Sequence, residues 1–352
     1  MKMELSLLHQ MFEHLPEAVL VLRDSTPIYR NAAAKALLPS DELPPPVLLE
    51  YLSTHPGEIL VTHKDTFYLI TLSEYGPYHL LILRPQREPE WPNVSSFLPA
   101  RLRGHLSNLA VTTEQLADLL SKEESFTEYH TLLSIQTQAI YRILRLAKQM
   151  ELSLNDWKKE YPLCTVDLVS LCASISNELA SRKGALGPLF SFHSESPLLL
   201  TLGNQTLLEQ LVLALLSNAI KAAGTQGTVE FSLVQKHGRA ILTVWNDGPD
   251  IPENCLLQLF MPQHGAGLPR PQDGGGLDLW LAHRIALFHG GVIMAGNRPK
   301  GGSEFVLSLP TTTPKTMTFK SADQIPPDDG FSPVLIGLAD ALPPKAFDPL
   351  EP

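Results

Sequence analysis

The chain has 352 residues, 44% of them hydrophobic, and a formal net charge of −10. That length suits two or three domains with ordinary cores, and the acidic balance argues against nucleic acid as a partner and supplies no polybasic stretch for lipid. Three cysteines, Cys164, Cys172 and Cys255, have neither metal-ligand spacing nor a disulfide framework and read as buried apolar thiols. No apolar run approaches a membrane span and the start lacks a signal-peptide pattern, so the sequence predicts a soluble cytoplasmic protein with no membrane span.

Residues 1–86 alternate short apolar runs with turns. A strand is predicted over 17–23, a turn at Asp24-Ser-Thr-Pro27, and a helix opened by Asn31 at its N-cap. The runs beginning at Ile59, Thr66 and His79 are β-branched and aromatic enough for further strands. Leu15-Pro-Glu-Ala-Val-Leu-Val-Leu22 followed by Tyr29-Arg-Asn-Ala-Ala33 resembles a PAS sensor domain.

A Pro-rich connector over 85–92 leads into residues 93–152, where two helices are predicted. The first, near 95–121, carries Leu98, Leu102, Leu106, Leu109, Leu116 and Leu120 near one face. The second, near 126–150, carries Leu132, Leu133, Ile140, Ile143, Leu144 and Ala147. Both stripes step by three and four residues, so the pair forms a helical hairpin. Its apolar stripe stays wet unless it meets a second copy in a four-helix bundle, or packs on the domain that follows.

Residues 163–310 hold the motifs that carry chemistry. A helix over 205–223 places Asn218 and Lys221 on one face. An Asn amide oxygen suits a magnesium ion that bridges phosphates, and a lysine one turn on can meet a phosphate. Asn246-Asp-Gly248 ends a strand; the Asn246 amide oxygen can accept a hydrogen bond from a base, and Gly248 allows close backbone approach. Gly274-Gly275-Gly276-Leu277 enters a helix, a backbone arrangement suited to anions. Residues 261–273 read as a Gly- and Pro-rich lid, with Phe260 beneath it.

These motifs, in this order and spacing, resemble the ATP-binding domain shared by histidine kinases, gyrase and MutL. With the PAS-like block and the hairpin, nearly the whole chain resembles the sensor histidine kinase family of two-component signalling. The resemblance implies an α+β protein: a PAS-like α/β sensor domain, a two-helix dimerisation hairpin, and a two-layer α/β sandwich that binds ATP. It implies ATP and magnesium as bound groups, Asn218 as the metal ligand, a homodimer through the hairpin, and a response regulator as partner. The implied ATP-binding residues are Asn218, Lys221, Asn246, Gly248, Phe260, Gly274, Gly275, Gly276 and Leu277.

Several positions depart from the family pattern. Ala214 stands where a second polar residue helps orient metal and water, and Asp250 where a second glycine is common. Asp278 interrupts Gly-Leu-Gly-Leu; it either faces the phosphates, with a repulsion between about 1 and about 4 kcal/mol at ~4 Å, or caps its helix. Ala100 falls at the phosphoacceptor histidine, leaving His105 as the candidate acceptor, ahead of His130. The expected activity is transfer of the ATP γ-phosphate to histidine. The alternatives are a non-catalytic regulator acting through protein contacts and, on the same superfamily logic, a serine-directed kinase. Residues 311–352 read as a Pro-rich flexible tail whose apolar patch, Phe331-Ser-Pro-Val-Leu-Ile-Gly-Leu-Ala-Asp-Ala-Leu-Pro343, can dock.

Overall fold

The computed structural model describes residues 5–23, 26–37, 58–63, 66–86, 109, 111–112, 115–116, 126–154, 157–181, 188–252, 259–260, 277–299, 301–313 and 331–348. Ala100, His105, Cys255, the lid and Gly274, Gly275 and Gly276 lie outside these residues, as does most of the first predicted hairpin helix.

The N-terminal part contains α1 (Leu5–Phe12), β1 (Ala18–Arg23), β2 (Thr26–Arg30), α2 (Ala32–Leu37), β3 (Glu58–His63), β4 (Thr66–Tyr75) and β5 (Tyr78–Gln86). Its strands are antiparallel in the order β2-β1-β5-β4-β3. Asn31 is the local organiser and is fully buried. Its Oδ1 accepts from the amides of Val19 (3.0 Å) and Ala34 (2.8 Å), and its Nδ2 donates to the carbonyls of Phe12 (3.0 Å) and Glu17 (2.8 Å). One side chain thus caps α2 and ties it to the end of α1 and the start of β1.

A long helix, α3 (Phe126–Leu154), and a short one, α4 (Trp157–Glu160), precede the second sheet. Then follow β6 (Cys164–Asp167), α5 (Leu168–Ser181), β7 (Leu189–Ser194), β8 (Leu200–Gly203), α6 (Gln205–Ala223), β9 (Thr228–Lys236), β10 (Arg239–Asn246), α7 (Leu277–Phe288), β11 (Val292–Asn297) and β12 (Ser303–Pro310). Strands β11-β12-β10-β9 are antiparallel, β7 joins β9 in parallel, and β6 pairs with β8 as a separate ribbon. The β9–β10 hairpin turns at His237 and Gly238, both at positive φ (50° and 70°), the arrangement that matches strand twist.

Helices α5, α6 and α7 cover one face of this sheet in a shared core. Among the described residues α6 is the one helix long and apolar enough to cross a membrane, which corrects the expectation that no apolar run approaches that length. Its burial accounts for that composition: Leu207, Leu211, Leu213, Leu215, Leu216 and Ala219 are at 0% exposure because the helix runs through the middle of the layer. Asn204 caps its start, accepting from the Leu207 amide, and Gly224 at φ 66° closes its end. Cys172 is buried in the same core, where burial pushes its thiol up to about 12; Cys164 is half-buried and also unpaired in any disulfide.

The two sheets are one. Strand β3 pairs with β11 through Leu60↔Ala295 and Val61↔Met294, giving a ten-stranded sheet. Ile241, Met294 and Val306 lie on the face turned away from α6 and share a core with Leu20, Leu22, Ile70 and Leu81 of the N-terminal part. That explains the lack of alternation in Phe305-Val-Leu307 and Ile293-Met-Ala295: both faces of these strands are buried.

The final segment forms α8 (Pro333–Leu338) and a 3-10 turn (Pro344–Phe347). Val334, Leu335, Ile336, Leu338 and Phe347 are buried against the helical layer, so residues 331–348 of the expected flexible tail are packed in place. The patch read from the sequence, 331–343, lies within this packed segment, which continues past Pro343 as far as Asp348.

Candidate functional site

The site residues gather where α6 ends, α7 begins and β10 emerges from the sheet. Asn218 and Lys221 are half-buried on α6, at one of its few polar faces, and the Asn218 amide makes no hydrogen bond to the described residues. Its oxygen is a neutral hard donor of the kind magnesium accepts. Among the described residues there is no group of three or more His, Cys, Asp or Glu placed to hold a metal, so Asn218 would need water and ligand oxygens to complete a coordination shell.

Asn246, at the end of β10, is fully buried. Its Nδ2 donates to Ser303 Oγ at 2.7 Å, and its Oδ1 accepts from the Gly248 amide at 3.0 Å. The oxygen therefore already holds the following turn and retains one lone pair for a further donor. A Cβ on Gly248 would stand 2.3 Å from the carbonyl oxygen of Ala222, so the glycine lets the turn rest on the last turn of α6. Asp250 accepts from the Gly302 amide at 3.0 Å; Gly302 has φ 85°, and a Cβ there would lie 2.1 Å from Asn246 O. Asp250 is thus a loop clamp between β10 and β12.

Phe260 is fully buried, edge-on to Phe305 at 6.4 Å and 6.2 Å from the His283 ring. Burial and the neighbouring Arg284 push His283 down to about 4, so the imidazole is neutral. Leu277, 1% exposed, anchors the first turn of α7.

Asp278 follows it and takes side chains of other helices as its partners. Its carboxylate points at α3: Arg145 Nη2 lies 2.6 Å from Oδ2, and Gln149 Nε2 donates to Oδ1. Lys221 Nζ is 4.0 Å away. Arg145 also donates to Ser217 Oγ at 3.2 Å and to the Gly337 carbonyl, and stands 3.8 Å from Asp340. Burial opposes the Arg145 charge, but Asp278 and Asp340 outweigh it and hold its pKa above the ordinary value. Ala214 lines the narrow cleft where Arg145, Gln149 and Asp278 meet. The small Ala214 side chain thus leaves room there for the side chains of α3.

Among the expected site residues, Gly248 rests on Ala222 beside Lys221, and Lys221 reaches Asp278, the neighbour of Leu277, while Phe260 packs on Phe305 and His283. Arg145 and Gln149, on α3, were not expected; their pairing with a residue more than 125 positions away has no local signature. His130, the lesser acceptor candidate, is on α3 with Nδ1 2.7 Å from Asp348.

Residues 203–313 match the family described as histidine kinase-, DNA gyrase B-, and HSP90-like ATPase. Signal transduction histidine-protein kinase AfsQ2 of Streptomyces coelicolor is 36% identical over 104 residues, 29% of this chain and 19% of that protein. Adaptive-response sensory kinase SasA of a Synechococcus species is 26% identical over 219 residues, 60% of this chain and 55% of that protein. The chain spans less than two thirds of the length of these curated relatives. Among solved structures, the catalytic domain of histidine kinase ThkA in a nucleotide-free form is 26% identical, covers 43% of this chain and 96% of its own, and has a TM-score of 0.39. The segment from 203 to 313 is therefore a histidine kinase-, gyrase B- and HSP90-like ATPase domain, and the chain that carries it is similar to sensor histidine kinases.

Proposed function

We propose that this chain is a two-component sensor kinase homologue whose ATPase-family domain binds ATP with magnesium. The observation that carries the reading is a half-buried Asn218 on the same face of α6 as Lys221, whose Nζ lies 4.0 Å from Asp278 in the first turn of α7, beside a turn that Gly248 and Gly302 hold tightly packed. Asn218 would hold the magnesium, which when bound offsets phosphate charge. Asn246 and the Gly248 turn would form the base pocket, with Phe260 packed beneath. Gly274, Gly275, Gly276 and Leu277 would present amides to the phosphates.

The N-terminal sheet with its short helices supports a PAS-like sensing role for residues 1–86. The outward stripe of α3, with Ile140 at 37% exposure, supports a homodimer through the hairpin, residues 93–152. A response regulator would then be the downstream partner. A second reading, a regulator that binds ATP without transferring phosphate, is favoured by Ala100 at the acceptor position and by Arg145 and Gln149 holding α3 against α7. Incubation with γ-labelled ATP and magnesium separates the two. Acid-labile label that disappears in His105→Gln supports the kinase. Nucleotide binding without label leaves the regulator, and absence of both binding and label overturns the whole proposal.

A further inference from the structure

Helix α3 has two unlike faces. At about 100° per residue, Ser134, Gln138, Tyr141, Arg142, Arg145 and Gln149 form one stripe, while Leu132, Ile140, Ile143 and Ala147 lie on the opposite side. The polar stripe, not the apolar one, meets the ATPase domain and residues 331–348. Gln138 Nε2 donates to the carbonyls of Ala339 (3.1 Å) and Leu342 (2.7 Å). Arg142 Nε donates to Ala339 O at 3.2 Å and pairs with Asp340 at 3.3 Å. Arg145 takes the Gly337 carbonyl. The Gly337 and Ala339 carbonyls are ones that the end of α8 leaves without helical partners; Asp340 and the Leu342 carbonyl follow within the next turn. Cations and an amide along α3 therefore match the negative end of a short helix.

The rest of the segment is equally specific. Ser332 caps α8, accepting from the Leu335 amide at 3.1 Å and donating to Glu178 of α5. Val334, Leu335 and Leu338 enter the domain core, and Gly337 passes α6 so closely that a Cβ would lie 2.6 Å from Leu213 Cδ1. Tyr141 is held between Phe331 (5.5 Å) and Phe347 (5.3 Å), and Asp348 closes the far end on His130.

We propose that the groove between α3 and α6 is a peptide-docking site for a short capped helix followed by an acid, and that residues 331–348 of the same chain are its resident occupant. The segment acts as a latch: α3 touches the ATPase domain directly at Asp278 and Ser217, and residues 331–348 complete the rest of that seam. Joined to β12 through 314–330, the latch works at the local concentrations, on the order of millimolar, that a short covalent tether supplies. Whatever removes the latch frees α3 to move relative to α6 and α7. The latch needs no bound nucleotide.

The test inserts a site-specific protease sequence within 314–330 of the full chain and cleaves the folded protein. The C-terminal fragment should co-elute with the body on gel filtration at micromolar concentration, with amides 138–149 as protected from hydrogen exchange as before cleavage. Gly337→Leu should release the fragment and speed exchange over 138–149 by at least about tenfold. Asp340→Lys, which leaves the core contacts of α8 untouched, should act in the same direction and guards against a fold-wide failure of the glycine variant. Added synthetic peptide 331–348 should restore protection in the cleaved Asp340→Lys protein. Loss of the fragment from the cleaved parent chain, or unchanged exchange of α3 in both variants, would overturn the proposal.

Discussion

Arg145 on α3 and Asp278 on the first turn of α7 form a 2.6 Å ion pair that fastens the long helix to the helical layer of the ATPase-family domain. The acid at the glycine-rich motif is thus committed to a protein cation. Its charge is offset by Arg145 and by Lys221 at 4.0 Å, so its repulsion of a phosphate is weaker than an unpaired carboxylate would give.

Asp278→Asn should destabilise the protein by about 3 kcal/mol, the low end for breaking a buried pair, because Asp340 still faces Arg145. Urea denaturation measures the loss. ATP affinity should change less than about threefold, since the charge removed is already paired. A large gain in affinity with unchanged stability would mean that Asp278 faces the phosphates instead.

Gly248→Ala places a methyl 2.3 Å from Ala222 O and 2.8 Å from Asn246 Oδ1, and the Ala222 backbone leaves little room to yield. A loss of about 1–3 kcal/mol is expected, the range for overpacking. The variant should also weaken nucleotide binding, because the turn lifts off α6. Stability and affinity equal to the parent would show that the turn is not held there.

His283 is neutral with a pKa near 4, against 6.5 in an unfolded chain. Between those values the unfolded state binds more protons, so stability falls as pH drops from 6.5 to 4 and the loss levels off below. The difference corresponds to about 3 kcal/mol. His289 is shifted down by burial as well, and protonating its Nε2 would break the 2.9 Å bond from the Asn204 amide at the start of α6. In denaturant titrations at pH 7 and pH 4.5, His283→Leu should show a fall smaller by about 2–3 kcal/mol than the parent chain. An equal fall would place the acid sensitivity elsewhere.

Met294 and Val306 sit in the core shared by the N-terminal sheet and the ATPase domain. Met294→Asp buries an unpaired carboxylate on that face and should detach the N-terminal part. Small-angle scattering would then report a larger radius of gyration with near-native circular dichroism. An unchanged radius would contradict the ten-stranded arrangement.

Helix α6 and the β9–β10 hairpin were legible because their signals are local. Asn204 and Gly224 punctuate a run whose leucines recur through the helix, and the expected span of 205–223 is the one found. Asn31 was readable as a cap for the same reason, although its bonds to Phe12 and Glu17 were not. The role of α3 was harder to read. Hydrophobic periodicity highlights Ile140, Ile143 and Ala147, whereas the face that grips the ATPase domain is built from Gln138, Arg142, Arg145 and Gln149 and looks like an ordinary solvated side. Packing on its own domain and presenting an apolar stripe outward therefore coexist on one helix. Gly337 was likewise silent, because only contact with Leu213 gives it a reason.

The central claim is that Asn218 belongs to a magnesium–nucleotide site, and calorimetric titration of ATP into the full-length chain tests it most directly. With magnesium the parent chain should bind ATP in the micromolar range, and Asn218→Ala should lose at least about tenfold, near 1.4 kcal/mol. Without magnesium the two proteins should bind alike. No heat from the parent chain, or an Asn218→Ala variant that binds ATP as well as the parent in the presence of magnesium, would contradict the account.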